Sequence, residues 1–115
     1  MIDIETFRKI ALSFPESTEQ PHFEKTSFRV RKKIFATLDI SNNEACIKLS
    51  EIDQNVFSAF NCNIIFPVPN KWGKQGWTLI NLNLVHKEML LDAMNTAYCE
   101  VAPKHLALNI KAAED

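Results

Sequence analysis

Thr26-Ser27-Phe28-Arg29-Val30-Arg31-Lys32-Lys33-Ile34-Phe35-Ala36-Thr37-Leu38-Asp39-Ile40-Ser41-Asn42-Asn43-Glu44-Ala45-Cys46-Ile47-Lys48-Leu49 is the stretch that decides the fold. Apolar and polar residues alternate through it with period two. In 26–31, Phe28 and Val30 alternate with Ser27, Arg29 and Arg31. In 33–40, Ile34, Ala36, Leu38 and Ile40 alternate with Phe35, Thr37 and Asp39. In 44–49, Ala45, Ile47 and Leu49 alternate with Cys46 and Lys48. This pattern predicts three antiparallel strands with one buried face. Ser41-Asn42-Asn43 supplies asparagines that tolerate left-handed backbone in the second turn. The first turn, at Arg31-Lys32, has neither glycine nor asparagine, so turn chemistry does not account for its charge.

Upstream, residues 15–25 carry two prolines and mixed charge and read as an irregular connection. Residues 3–14 read as a helix. Asp3 is its N-cap, Glu5 complements the first turn, and Phe7, Ile10, Ala11 and Phe14 form one apolar face before Pro15. Downstream, Ser50 and Asp53 form a capping box with Asp in place of Glu. Ile52, Val56, Phe57 and Phe60 supply an apolar stripe for a helix over 51–60. Ile64-Ile65-Phe66 is a short strand ended by Pro67 and Pro69, and residues 70–76 form a loop. Trp77, Leu79 and Asn81 alternate with Thr78, Ile80 and Leu82 in another strand. A helix over 87–101 carries Leu90, Met94, Ala97, Tyr98 and Val101 and closes at Pro103. The order α-β-β-β-α-β-β-α predicts an α+β fold of two layers, a five-stranded antiparallel sheet with helices packed against it. One domain over 1–105 and a C-terminal tail over 106–115 complete the expected organisation.

The chain has 115 residues, 46% hydrophobic and 23% charged, enough for a single packed core. Gly73 and Gly76 are the only glycines, which excludes a glycine-rich phosphate cradle. Cys46, Cys62 and Cys99 form no C-x-x-C, and His22, His86 and His105 are scattered, so no metal or cofactor is expected. Met1-Ile2-Asp3-Ile4-Glu5 does not read as a leader. No apolar run reaches the roughly 18–20 residues of a membrane span. With three thiols unpaired, the expected location is cytoplasmic. No catalytic constellation emerges. The serines lack a nucleophile-elbow context, Cys99 sits near a helix C-terminus that disfavours a thiolate, and His86 stands alone. The expectation is a non-enzymatic protein.

Thirteen basic residues oppose fourteen acidic ones, for a net charge of −1. The average conceals segregation. His22 to Lys33 holds five basic residues against Glu24 alone, a net +4, and Lys71 to Trp77 holds +2, leaving −7 for the remainder. Ammonium and guanidinium groups on a hairpin tip can follow a phosphate backbone, and tryptophan beside lysine can stack on bases. The candidate nucleic-acid-binding residues are therefore Lys25, Arg29, Arg31, Lys32, Lys33, Lys71, Trp72 and Lys74. Trp77 reads as a packing residue of its strand. The competing reading is that charged tips are merely solvated and edge-strand lysines block edge-to-edge pairing. Gly73-Lys74-Gln75-Gly76 matches the G-x-x-G of KH loops, but it precedes a strand and reads as a plain flexible turn.

Several of these residues together resemble the MmcQ/YjbR family of small bacterial proteins. The matching elements are Leu12-Ser13-Phe14-Pro15-Glu16, Phe28-Arg29-Val30, Lys33-Ile34-Phe35-Ala36 and Ile47-Lys48-Leu49. They continue with Gly76-Trp77, Ala97-Tyr98 and Val101-Ala102-Pro103-Lys104, spanning roughly 5–105. The resemblance implies a fold like that of type III secretion chaperones and DNA binding through two projecting β wings, with no catalytic residues to carry over. The wings correspond to the segments around Arg29–Lys33 and Lys71–Lys74. Many members have glycine in the first hairpin turn, where this chain has Arg31-Lys32. The alternative expectation is a chaperone-like module that binds a protein partner or a second copy of itself. A third, a small-ligand site, would be favoured by a pocket with convergent polar groups.

Overall fold

The computed structural model describes residues 1–114. The elements are α1 (Ile4–Leu12), β1 (Ser17–His22), β2 (Lys25–Val30), β3 (Lys33–Asp39), β4 (Glu44–Lys48), α2 (Glu51–Phe60), β5 (Ile65–Pro67), α3 (Lys71–Lys74), β6 (Trp77–Asn81), α4 (Lys87–Val101) and α5 (Lys104–Glu114). The strands form one six-stranded sheet in the order β1-β2-β3-β4-β6-β5, antiparallel at every pairing. The fold is thus α+β in two layers, but with six strands rather than five.

The extra strand, β1, is Ser-Thr-Glu-Gln-Pro-His and carries no apolar residue to reveal a period. It lies at the sheet edge, pairing only with β2, where a proline costs no ladder bond on the solvent side. Two further expectations are corrected. The loop over 70–76 contains the single turn α3, and the tail from 106 belongs to α5. Leu106 of α5 is buried in the common core, so the domain does not end at 105.

Both expected caps form. The Asp3 carboxylate accepts from Thr6 N at 2.7 Å. The Ser50 hydroxyl accepts from Asp53 N at 3.1 Å and donates to the Asp53 carboxylate at 3.0 Å. One sheet face meets the helices. Phe28, Val30, Ala36, Leu38, Ala45 and Ile47 on the strands join buried residues of α1, α2, α4 and α5 in one core cluster. A bulge between β2 and β3 leaves Phe35 as an extra residue, since Phe28 faces Ala36 but Arg29 faces Ile34. Phe35 and Ala36 are therefore both buried, and Ile34 turns to the opposite face.

Motifs that carry the family resemblance meet in this core. The Tyr98 hydroxyl donates to the Pro15 carbonyl at 2.7 Å, and its ring stacks on Phe14 at 4.8 Å between centroids. Phe35 packs edge-on against both rings. These residues join α1, β3 and α4, which explains them as packing.

Helix α2 departs from its expected orientation. Ile52, Val56 and Phe60 are 75%, 53% and 70% exposed, while Gln54 and Phe57 are buried. A polar anchor decides the rotation. The Gln54 amide donates to the carbonyls of Gly73 at 3.0 Å and Trp77 at 3.2 Å and to the Thr78 hydroxyl at 3.0 Å. The amide adds to backbone donors already on those carbonyls, Gly76 N on Gly73 and Val68 N on Trp77, and its own buried N–H groups would be unpaired in any other orientation of the helix.

Candidate nucleic-acid interface

Val30 pairs with Lys33, so Arg31 and Lys32 are the two central residues of the β2–β3 turn. Their φ angles are +51° and +71°. Positive φ at both positions is the type I′ arrangement, which favours Asn-Gly. Left-handed backbone costs an ordinary residue about 1–2 kcal/mol. The Arg31 guanidinium is engaged by Glu16, at 2.6 Å from Nε and 3.1 Å from Nη2. That hydrogen bond holds the Glu16 carboxyl below its usual value and raises the guanidinium. Lys32 and Lys33 are exposed, and among the described residues no ion pair holds them.

The second basic segment is clamped from behind. A Cβ at Gly73 would lie 2.0 Å from the Val68 carbonyl oxygen, and one at Gly76, where φ is +103°, 1.8 Å from that of Leu49. Leu49 N in turn donates to Gly76 O at 2.9 Å. The Lys48 ammonium donates to the Gln75 carbonyl. The G-x-x-G is therefore a close-packed fastening and not the flexible turn expected from sequence. It holds α3 with Lys71 and Lys74 exposed, and the Lys71 ammonium lies 5.6 Å from the Trp72 ring centroid.

Register places the two segments at the same end of the sheet. Lys33 opens β3 at the end where Lys48 closes β4, and Lys48 pairs with Trp77, the first residue of β6. Only β4 separates β3 from β6, a spacing of about 10 Å. Lys32, Lys33, Lys71 and Lys74 are thus gathered at this end. Of the other candidates, Arg29, Arg31 and Trp72 share this end, Arg31 held by Glu16, and Lys25 does not. Lys25 lies at the far end of β2, beside Asp39, whose carboxyl is lowered chiefly by Asn42 and further by Lys25. Arg29 is half-buried on the sheet face away from the helices and donates to the Ser27 hydroxyl at 3.0 Å.

That face holds a cleft of about 610 Å³. Pairings set its rows. Ser27, Thr37, Cys46, Leu79 and Phe66 lie side by side across β2, β3, β4, β6 and β5. Glu44 and Lys25 stand towards one end, and Ile34 and Trp77 towards the other. Trp72 and Asn70 reach over from α3 and its cap, and His22 from β1. Both tryptophans of the chain therefore line one cleft. Trp77, expected to pack within its strand, faces the cleft instead, and Ile34, Thr37, Glu44, Cys46 and Leu79 join it there without a motif to mark them. The available signal was β6, where Trp77 and Leu79 make the second parity apolar as well. Burial pushes the Cys46 thiol up to about 11, so it is protonated at neutral pH and a poor nucleophile.

Among the described residues, no three His, Cys, Asp or Glu gather to hold a metal ion, and no helix is long and apolar enough to cross a membrane.

A twisted antiparallel sheet with helices on one face and a cleft on the other defines a small α+β protein built around an open sheet. The chain belongs to the YjbR family, whose model matches residues 12–100. Its fold is similar to that in the crystal structure of Deinococcus radiodurans protein DR2400, a DUF419 domain. The TM-score is 0.76 at 20% identity, over 87% of this chain and 78% of that one. No curated protein matches the chain.

Proposed function

We propose that the protein is a non-enzymatic nucleic-acid binder that grips a DNA backbone with the basic end of its sheet. The β2–β3 turn carries the reading. Arg31 and Lys32 occupy left-handed backbone where asparagine and glycine are favoured, and strain of this kind concentrates at functional sites. The second lysine pair, on α3, is held rigidly at the same end. Neutralising about four phosphates gives a slope of roughly −3.6 for log K against log[salt] on duplex DNA. Fluorescence anisotropy with a labelled duplex at two salt concentrations tests it. Binding that survives reversal of Lys32, Lys33, Lys71 and Lys74 to Glu removes the site, and no binding at low salt removes the function.

The outward row Ile52, Val56 and Phe60 favours a second reading, self-association through α2. Light scattering checks it: a concentration-dependent dimer that Val56→Glu abolishes supports this reading, and a strict monomer removes it.

A further inference from the structure

We infer that the cleft on the open sheet face is a stacking site for an unpaired nucleobase, with Trp77 and Trp72 supplying the stacking surfaces. The inference rests on the nucleic-acid reading and extends it from phosphate to base.

Three observations carry it. First, the cleft volume of about 610 Å³ falls within the roughly 300–1,000 Å³ of sites that hold small ligands. Second, its lining has the two components a base requires. Trp77 and Trp72 offer aromatic faces, which stack on any base because every base has a π-face. Thr37 and Asn70 offer donors and acceptors to the edge of a ring, and Glu44 and Lys25 make the far end of the cleft polar. A purely aliphatic ligand would desolvate Glu44 and Lys25 without pairing them. Third, the aromatic part of the cleft lies at the basic end of the sheet. Trp72 lies between Lys71 and Gly73 on α3, and Trp77 pairs across the ladder with Lys48. A strand whose phosphates follow the lysines passes the mouth of the cleft with its bases free to turn inward.

A base stacked in this cleft is distinct from the grip on duplex backbone. In a duplex the bases are already stacked on one another, so the cleft favours single strands, unpaired ends and free nucleotides. Burial keeps the Cys46 thiol protonated at neutral pH, so it adds no nucleophile to the cleft.

The tryptophans make the test direct. They are the only two in the chain and both line the cleft, so tryptophan fluorescence reports on its occupancy. The full chain is titrated with adenosine and uridine monophosphates, with ten-residue single strands of deoxyadenylate and deoxythymidylate, and with a blunt duplex. Saturable quenching by mononucleotides and by single strands supports a cleft that takes the base itself. Quenching by single strands alone supports a cleft that takes the base as part of a strand. Trp77→Leu should weaken single-strand affinity about five- to a hundredfold. Thr37→Phe, which fills the cleft and keeps both tryptophans, should abolish quenching while circular dichroism confirms the fold. No quenching by either ligand class, or quenching that survives Thr37→Phe, overturns the inference. Duplex anisotropy is followed in parallel with the lysine reversals. Duplex binding lost on reversal, without any tryptophan response, sinks the cleft and keeps the backbone grip. Quenching by single strands that ignores the reversals keeps the cleft and sinks the grip.

Discussion

At the residue scale, Lys32 separates stability from function most cleanly. Its backbone sits at φ +71° in a two-residue turn, with no described side-chain partner to compensate. Glycine adopts that conformation without the Cβ penalty. Lys32→Gly should therefore stabilise the fold by about 1 kcal/mol, read as a higher urea midpoint at unchanged m. The same substitution removes one ammonium of the proposed grip, so duplex affinity should fall as stability rises. A variant that gained no stability would show that the turn relaxes around its lysine, and the strain argument would go with it. Arg31 is a poorer probe, because removing it also frees Glu16.

At the element scale, α2 and α3 hold each other through one side chain. Gln54 is buried and bonds the carbonyls of Gly73 and Trp77 and the Thr78 hydroxyl. Gln54→Leu keeps the bulk but removes the amide's bonds, while the Gly73 and Trp77 carbonyls keep Gly76 N and Val68 N as donors, so the cost is about 0.5–1.5 kcal/mol per lost bond. It should also raise amide exchange across 70–77 more than elsewhere, because the fastening of the basic segment is lost. Uniform exchange throughout the chain would instead mean that α3 is held by its glycines alone. The same element shows where sequence was informative. The period-two alternation in 26–49 and the capping box at Ser50 were legible because each depends on local chemistry. The polar strand β1, the bulge at Phe35 and the rotation of α2 were not. Each is set by a partner distant in sequence: β2 for the edge strand, Arg29 for the bulge, and Gly73 and Trp77 for the helix. The cleft was hidden for the same reason, since Thr37, Cys46 and Leu79 become neighbours only through register.

At the scale of the whole molecule, charge is arranged by ends. Three carboxyls, Asp3, Glu16 and Asp39, are held below their ordinary values of 3.8 and 4.5 by hydrogen bonds from Thr6, Arg31 and Asn42. A depressed folded-state value means stability that is fully present above the ordinary value and lost as pH falls through the lower one. The urea midpoint should hold from pH 7 to about 5 and drop below about 4.5, less steeply in Glu16→Gln. The basic groups divide differently. Lys32, Lys33, Lys71 and Lys74 share one end, whereas Lys25 begins β2 at the other. β2 has six residues, so Lys25 and the turn lie about 17–20 Å apart. That exceeds twice the screening length of about 8 Å at physiological salt. Lys25→Glu should therefore leave duplex affinity within about twofold at that salt, whereas Lys32→Glu with Lys33→Glu should lower it at least tenfold and flatten the salt slope by about two. An equal loss from Lys25→Glu would place the duplex along the whole sheet face and not at its end. Raising the salt separates the two geometries further, because a lengthwise duplex neutralises Lys25 as well and keeps a steeper salt slope after the reversals.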